Sequence, residues 1–348
     1  MVDVDQPDPS DPAQVMVRAM ELAAGVRTST SPNPWVGCVV VTADGRRFEG
    51  ATQPPGGPHA EAVALAAARA ADAEPAGSLV CVTLEPCSHH GRTPPCADAL
   101  IAAGVGRVAV GILDPDPQVA GRGVARLRAA GIDVTTGVAA GAVTDQLAPY
   151  LTHRITGRPH VVLKLAASLD GRTAAPDGTS RWITGEVARA DAHRLRAESD
   201  AILVGAGTVR ADDPALTVRH GVFAEAGGRG RDPLRVVLGT APPGAKIHPC
   251  VEMKGDLGDI LDDLGQRGIL QLLVEGGAGV AGAFHRAGLV DRYVVYLAPV
   301  LFGGDDAPGL FHGTGAATMA DVWRGRIVEI TKLGDDLRVD VSPQKERG

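Results

Sequence analysis

The chain has 348 residues, a length that usually corresponds to two domains, and 45% of them are apolar, enough to fill sizeable cores. With a formal net charge of −7 and only 3% aromatic residues, it lacks the basic surface and stacking side chains that nucleic-acid binding requires. No apolar stretch approaches the ~20 residues that cross a bilayer, which excludes a predicted membrane span. The acidic, proline-rich start over residues 1–12 has no signal-peptide pattern and predicts a disordered lead-in.

The first half of the sequence alternates helix and strand. Asp11 and Pro12 are typical of a helix start, and WVGCVVV and RRFEGAT predict two strands joined by a turn. Helices are then predicted at HAEAVALAAARAADA, PCADALIAAG and GRGVARLRAAG, and strands at SLVCVTL, RVAVGIL and IDVTTG. Such alternation indicates an α/β domain over 13–146.

The second half repeats this α/β pattern after an interruption. Residues 147–159 break the alternation and end in Gly-Arg-Pro, which predicts a linker. A second domain is predicted over 160–348, with strands at HVVLKLAAS, AILVG, LRVVLG, ILQLLVE and YVVYLAPV. RIVEITKL and LRVDVS around Gly334 predict a closing hairpin.

The stretch TLEPCSHHGRTPPC contains the most informative cysteines. Cys87 and Cys96 follow an H-x-E motif formed by His59 and Glu61, and this order is typical of zinc deaminases, in which the glutamate is the acid/base. The eight residues between the cysteines exceed the usual two, and such a spacing alone is a weak metal signal. The odd number of five cysteines argues against a secreted disulfide framework and favours a reducing cytoplasm.

The chemistry of zinc explains why these residue types occur together. Catalytic zinc takes three protein ligands and keeps a fourth position for water, whose pKa falls to ~7. Glu61 would then transfer the proton of that water. A structural zinc with His89 or His90 as its fourth ligand remains an alternative. Cys38, Cys81 and Cys250 are expected to take no part in metal binding; the first two are predicted to pack in strands.

Longer motifs resemble one known family. SPNPWVGCVVV, GGPHAEAVAL, the HHGRTPPC loop and DPDPQVAGRGVARLRAAGIDV resemble, in this order, the deaminase half of the bifunctional riboflavin-biosynthesis deaminase/reductase. LKLAASLDGRTA, SRWITG, VGAGTVRADDPALTVR and LLVEGGAGVAGAF resemble its reductase half. The resemblance implies an N-terminal cytidine-deaminase-like α/β/α domain and a C-terminal dihydrofolate-reductase-like α/β domain. It further implies that zinc-bound hydroxide deaminates a diaminopyrimidinone ribosylamino phosphate, and that NADPH then reduces its ribosyl group to ribityl.

The resemblance also implies residue roles. In the deaminase half it places Zn²⁺ on His59, Cys87 and Cys96, the proton shuttle on Glu61, the pyrimidine on Asn33, and the sugar phosphate on His89 and Arg92. In the reductase half, the residues implied to bind substrate are Lys164, Ser180, Arg196, Leu216, Arg219 and Glu275. Those implied to bind NADPH are Ala166, Trp182, Thr208, Asp212, Gly277, Ala278, Gly279, Val280, Ala281, Gly282 and Ala283.

The reductase half leaves some points open. The G-x-G-x-x-G motif at 277–282 predicts phosphate binding at a helix N-terminus, but its place near the end of the chain does not favour a Rossmann fold. Lys164, in an apolar strand, is equally consistent with a buried ion pair. The region 240–268 is shorter than the family pattern and predicts a strand that is missing or truncated, so an impaired reductase remains possible.

Two other functions stay open at this stage. One is a zinc-dependent nucleic-acid base deaminase, which the net charge disfavours; the other is a zinc-stabilised scaffold without catalysis. The expected partners are a small phosphorylated pyrimidine and a second copy of the chain, bound through the reductase domain. Neither nucleic acid nor membrane is expected.

Overall fold

The computed structural model describes residues 11–89, 94–117, 119–222 and 230–344. These divide into two units, and the boundary falls between Thr156 and Gly157. In the described ranges, each helix is too short or too polar to cross a membrane.

The first unit is built on a mixed five-stranded sheet. Its strands are β1 (Gly37–Val41), β2 (Arg47–Ala51), β3 (Leu79–Leu84), β4 (Arg107–Ile112) and β5 (Asp133–Thr136), in the order β2–β1–β3–β4–β5. Its helices are α1 (Pro12–Thr30), α2 (Ala60–Ala70), α3 (Cys96–Ala102), α4 (Arg122–Ala129), α5 (Ala140–Gln146) and α6 (Ala148–Thr156). β1 pairs antiparallel with β2 and β3, whereas β3, β4 and β5 run parallel.

Local sequence accounts for these elements as predicted. The Asp11 carboxylate accepts a hydrogen bond from Ala13 N at 3.1 Å and caps α1, with Pro12 in its first turn. Every residue of β1 and β3 is buried, which matches their continuous apolar sequences. Cys38 and Cys81 lie in these strands at 0% exposure, as expected of packed thiols.

The predicted linker over 147–159 contains the helix α6, and the boundary between the two units falls inside it, after Thr156. Pro149 is the second residue of α6, where a proline removes no intrahelical hydrogen bond. Leu147 and Tyr150 are buried, so the helix packs against its own unit. The chain breaks only at Gly157, whose φ of +74° ends the helical conformation.

The second unit contains an eight-stranded sheet. Its strands are β6 (His160–Ser168), β7 (Ala201–Gly205), β8 (Leu234–Leu238), β9 (Val251–Met253), β10 (Gln271–Val274), β11 (Arg292–Ala298), β12 (Gly325–Leu333) and β13 (Asp336–Pro343). Their order is β12–β13–β11–β6–β10–β7–β8–β9, and the described helices of this unit are α7 (Glu186–Ala197), α8 (Ala206–Asp212), α9 (Leu257–Gln266) and α10 (Ala278–Arg286). β13 is antiparallel to β11 and β12, whereas the other neighbours are parallel.

This strand order places the polar residues of the second unit. β6 lies in the interior of the sheet between β10 and β11, so Lys164 reaches one face from within a buried strand. β12 and β13 form the predicted hairpin, in which Leu333 pairs with Asp336 around Gly334, at φ +66°. A strand was expected to be missing or truncated in the region 240–268. The structure has one strand there, β9, which is three residues long and lies at the edge of the sheet.

Candidate active sites

Three predicted ligands converge in the first unit. His59 is the N-cap residue of α2, Cys96 is the first residue of α3, and Cys87 lies in the loop after β3. Their ligand atoms lie within 4.8 Å of one another. Gly50 on β2 permits this arrangement, because a Cβ there would lie 2.1 Å from Ala60 O at the start of α2. The strand and the helix backbone are therefore in direct contact beside the cluster.

The spacing of the cluster fits a tetrahedral zinc ion. His59 Nδ1 lies 3.6 Å from Cys87 Sγ and 3.3 Å from Cys96 Sγ. Zn–S bonds of about 2.3 Å and Zn–N bonds of about 2.0–2.1 Å place neighbouring N and S ligands about 3.6 Å apart. One imidazole and two sulfurs also match the donor set that zinc prefers.

The contact between the two sulfurs makes Cys87 the more acidic thiol. The hydrogen bond from the Cys96 side chain lowers the pKa of Cys87 to about 4, and the same contact raises the pKa of Cys96. The backbone N–H of Cys96 also donates to Cys87 Sγ, at 3.3 Å. A thiolate is thus available at Cys87, as a metal ligand requires.

Glu61 is the acid/base candidate beside these ligands. It lies in the first turn of α2 and is 4% exposed. Burial raises its pKa, and the neighbouring Cys87 raises it further. A carboxyl with a raised pKa exchanges protons near neutral pH more readily than an exposed one.

The cluster opens into a cavity of about 210 Å³ within the first unit. Its described lining residues are Asn33, Pro34, Val36, Thr52, His59, Glu61, Leu84, Glu85, Cys87, His89, Asp114, Asp116, Val119, Tyr150 and Arg154. The structure therefore brings the predicted Asn33 and His89 to the same cavity as His59 and Glu61. The predicted Arg92 lies outside the described residues.

One wall of this cavity was not predicted from the sequence. The carboxylate of Glu85 accepts hydrogen bonds from Gly121 N at 2.8 Å, Val124 N at 3.1 Å and Asp114 N at 3.3 Å. Glu85 thus fixes the DPDP segment and the start of α4 beside the Cys87 loop. The DPDPQVAGRG motif was recognised in the sequence, but the motif alone does not show that its backbone binds Glu85 and forms a wall of the cavity. Tyr150 and Arg154 were missed because they lie in the segment taken for a linker.

The second unit has a larger cleft of about 590 Å³. Predicted cofactor residues that line it are Ala166, Thr208, Asp212, Gly277, Ala278, Gly279 and Val280, and predicted substrate residues are Lys164, Ser180 and Glu275. These residues come from β6, α8, the loop before α7, the segment after β10 and the first turn of α10. Side chains from separate elements thus meet in one cleft.

Lys164 and Glu275 form a charged part of the cleft wall, and Arg196 binds Glu275 from behind it. Arg196 donates to both oxygens of Glu275, at 2.8 and 2.9 Å, and Lys164 Nζ lies 4.0 Å from Glu275 Oε2. Although burial opposes ionisation, the positive charge and hydrogen bonds of Arg196 lower the pKa of Glu275 to about 2. Glu275 is therefore a carboxylate at neutral pH. Lys164 is in an ion pair, and it also faces the cleft.

The start of α10 fits an anionic cofactor. Gly277 is its N-cap, and the Gly277 N–H donates to Thr208 Oγ1 at 3.2 Å. Gly276 must lack a side chain, because a Cβ there would lie 2.5 Å from Val280 Cβ. Small residues at the N-terminus of a nine-residue helix let phosphate oxygens approach its N–H groups, as a dinucleotide requires.

Some predicted reductase residues lie elsewhere. The residues that do not line the cleft are Trp182, Arg196, Leu216, Arg219, Ala281, Gly282 and Ala283. Trp182 is 70% exposed and stacks on Arg189 at 4.6 Å, and Leu216 is buried in the core. Gly282 packs against the His312 backbone, where a Cβ would lie 2.4 Å from its carbonyl oxygen. Arg196 acts on the cleft through Glu275.

Two families match the two units. The cytidine and deoxycytidylate deaminase zinc-binding region matches residues 9–112, and the RibD C-terminal domain matches residues 159–339. The riboflavin biosynthesis protein RibD of Escherichia coli (strain K12) is 42% identical over 358 aligned positions, which cover 92% of this chain and 96% of that protein. RibD of Mycobacterium tuberculosis is 43% identical, with 93% and 95% covered.

Solved structures give the same result. The Acinetobacter baumannii RibD structure, form 1, is 38% identical, with a TM-score of 0.87 over 97% of this chain and 100% of that chain. A diaminohydroxyphosphoribosylaminopyrimidine deaminase/5-amino-6-(5-phosphoribosylamino)uracil reductase from Thermotoga maritima is 33% identical, with a TM-score of 0.84 over 95% and 98%. The similarity covers both units.

Proposed function

This chain belongs to the RibD family of riboflavin biosynthesis proteins, and we propose that the residues described above carry both of its reactions. It is a bifunctional enzyme with a zinc-dependent pyrimidine deaminase and an NADPH-dependent reductase. The name of the Thermotoga maritima relative supplies the substrates: the diaminopyrimidine ribosylamino phosphate for deamination and the resulting phosphoribosylaminouracil for reduction. We assign deamination to residues 13–156, which include α6, and reduction to residues 160–348.

The deaminase proposal depends on one observation, the buried Glu61 beside the converging His59, Cys87 and Cys96. Zinc bound by these three residues supplies a Lewis acid that activates water. Glu61 would accept a first proton from that water and pass it to the ring nitrogen, and would then carry a second proton, from the added hydroxyl, to the departing amine. Asn33 binds the ring edge, because an amide both donates and accepts hydrogen bonds.

The reductase proposal depends on the second cleft. NADPH supplies the hydride when bound. The N-terminus of α10 and Thr208 hold its phosphates, and Lys164 donates to the sugar oxygen whose carbon receives the hydride. Glu275, itself fixed by Arg196, orients Lys164. β9 is short, but it supplies none of the described lining residues of this cleft. The convergence of Lys164, Glu275 and the start of α10 therefore favours an active reductase over a degenerate one.

The deaminase proposal is tested with Glu61→Gln in the full chain. Zinc-loaded protein should release ammonia from the diaminopyrimidine phosphate, and the variant should lose about 10²- to 10⁴-fold in kcat because it cannot transfer the proton. Elemental analysis should show the same zinc content in both proteins. Glu49→Gln, a change to a half-exposed glutamate on β2, is the matched control and should leave kcat unchanged.

Three outcomes separate the alternatives. If unaltered zinc-loaded protein neither releases ammonia nor oxidises NADPH with the deaminated substrate, the proposed function is wrong. If Glu61→Gln keeps full activity, the bifunctional function stands but Glu61 is not its acid/base. Ammonia release without NADPH oxidation would identify an active deaminase with a degenerate reductase.

The proposal also covers the location of the protein and its oligomeric state. We propose a cytoplasmic location, which the free thiols of all five cysteines support. We also propose a homodimer through the reductase unit. Its edge strand β12 exposes Ile327 at 57% and Ile330 at 58%, an apolar surface of the kind that pairs with another copy. Sedimentation of the full chain should give the mass of two chains, and Ile330→Lys should shift it toward one.

A further inference from the structure

We infer that Arg154 on α6 binds the phosphate of the deaminase substrate and makes the enzyme selective for phosphorylated pyrimidine ribosides over dephosphorylated ones. The inference rests on the proposed deaminase function of the same cavity. It concerns a residue that neither the motifs nor the spacing of the sequence indicated.

The cavity runs from a buried end to an exposed end. The lining residues Leu84 and Glu61 are 3% and 4% exposed, whereas the side chains of Asp116 and Arg154 are 26% and 37% exposed. A volume of about 210 Å³ is below the ~300–1,000 Å³ that holds a drug-sized ligand entirely. A pyrimidine whose reacting carbon lies at the metal ligands therefore extends its sugar and phosphate toward the more exposed lining residues, which include Arg154, Asp116 and His89.

The charges of the cavity require a cation for such a substrate. Four carboxyl groups line it, from Glu61, Glu85, Asp114 and Asp116. Among the lining residues that the structure describes, Arg154 is the one lysine or arginine. A phosphate carries close to two negative charges at neutral pH, and these carboxylates repel it. Of the lining residues that the structure describes, Arg154 therefore carries the permanent positive charge that offsets this repulsion, and His89 lines the same cavity.

Contacts on α6 hold Arg154 in place. Tyr150 and Arg154 are four residues apart and so share a helix face, with the guanidinium 5.2 Å from the Tyr150 ring centroid. Tyr150 is 3% exposed, and its hydroxyl lies 3.0 and 3.2 Å from the two Asp114 oxygens, to which it donates. The ring beneath the guanidinium is therefore fixed.

The guanidinium still has capacity for a ligand. Its ion-pair contact runs from Nε to Asp116 Oδ2 at 3.9 Å, which is beyond hydrogen-bonding distance. An arginine presents five N–H donors in a planar fork that matches two phosphate oxygens. Tyr150 and Asp116 thus hold the guanidinium in place, and a fork of five N–H donors exceeds what these two contacts use.

The test measures selectivity rather than activity alone. Full-length, zinc-loaded protein is assayed for ammonia release from the diaminopyrimidine phosphate and from the same compound after phosphatase treatment. The variants are Arg154→Met, which removes the charge and keeps the aliphatic stem, and Arg154→Lys, which keeps a charge. Arg46→Met is the matched control, because Arg46 also lies beside an aspartate, Asp44, and over an aromatic ring, Phe48.

Arg154→Met should raise KM for the phosphorylated substrate about 10- to 100-fold, the loss expected for charge-assisted hydrogen bonds, and leave KM for the dephosphorylated compound unchanged. Arg154→Lys should recover most of the selectivity, and Arg46→Met should retain all of it. Equal losses on both compounds, or full selectivity in Arg154→Met, would overturn the inference.

A binding measurement gives a second readout. In a Glu61→Gln background, calorimetry should show that Arg154→Met weakens the binding of the phosphorylated substrate by the same factor, while the zinc content stays constant. Competition by ribose 5-phosphate should weaken in parallel. If the unaltered enzyme deaminates neither compound, the proposed function fails; if it deaminates both and Arg154→Met keeps the preference, only this inference fails.

Discussion

His193 shows how a single buried side chain supports the reductase site. It is 6% exposed on α7, and its Nδ1 accepts a hydrogen bond from Arg219 N at 3.0 Å. Burial first, and then the charges of Arg196 and Arg219, lower its pKa to about 4. The charge of Glu275 opposes this lowering of the pKa. His220, whose ring centroid lies 4.8 Å from that of His193, adds to it. The imidazole is therefore neutral in the folded protein at neutral pH and free to accept.

A pH dependence follows from this lowered pKa. An unfolded chain protonates the histidine near its ordinary pKa of about 6.5, whereas the folded one resists protonation down to about 4. Its contribution to the free energy of unfolding is thus complete above pH ~6.5 and falls between pH ~6.5 and ~4. We expect His193→Gln to be less stable than the unaltered chain at pH 7.5, and the difference to narrow by about 1–2 kcal/mol at pH 4.

Urea denaturation of both full-length proteins at several pH values measures this difference, because changes elsewhere in the chain cancel. The exposed His248 provides the control, because His248→Gln makes the same change of side chain outside the core. A difference between His193→Gln and the unaltered chain that stays constant from pH 7.5 to 4 would contradict the prediction.

At the level of elements, the position of α2 determines the geometry of the metal ligands. Gly50 on β2 contacts this helix, because a Cβ would lie 2.1 Å from Ala60 O and 2.5 Å from Ala64 N. Gly50→Ala should displace α2 and with it His59, costing about 1–3 kcal/mol in stability and lowering zinc affinity. Gly25→Ala in α1 is the matched control, since nothing lies within 4 Å of its Cβ position. That change should stabilise the chain by about 0.5–1 kcal/mol.

Thermal unfolding and zinc titration of the two alanine variants check this prediction. A Gly50→Ala protein with unchanged zinc affinity would mean that β2 or α2 adjusts without moving His59. If Gly25→Ala also lowered the stability, the loss in Gly50→Ala could not be attributed to the contact between Gly50 and α2.

The elements also show what sequence can predict. α2 and α3 were predictable because their apolar periodicity is regular and the residues at their starts, the N-cap His59 and the first residue Cys96, belong to a recognisable motif. α6 was not, because its nine residues have a proline at the second position and are followed by Gly-Arg-Pro, both of which are typical of a connector; only the burial of Tyr150 shows that the segment packs as a helix. The cavity wall it supplies depends on tertiary contacts between Tyr150 and Asp114, 36 residues apart, which no local pattern records.

The same distinction applies to the reductase cleft. The glycine-rich turn predicted the N-terminus of α10, since small residues and a helix start are local features. The pairing of Arg196 with Glu275 could not be deduced from periodicity, because it joins α7 to the end of β10 across 79 residues. Gly282 likewise fits the motif, but it packs against His312 and does not line the cleft.

At the scale of the whole molecule, each unit holds a complete set of candidate groups. The described lining residues of the deaminase cavity all precede Thr156, and those of the reductase cleft all follow Gly157. Each unit also has its own sheet. The two reactions therefore have separate structural requirements, and only the first depends on the His59, Cys87 and Cys96 cluster.

Removing the metal should then separate the two activities. Chelation of the full-length protein should abolish ammonia release, because water at the cluster is no longer activated, and should lower the stability of the first unit. NADPH oxidation with the already deaminated substrate should stay within about twofold, since the cleft draws no group from the cluster. Both rates are measured on one chelated sample, and added zinc should restore the first. Parallel loss of NADPH oxidation, recovered with zinc, would instead show that the reductase unit needs the metal-bound fold of the deaminase unit.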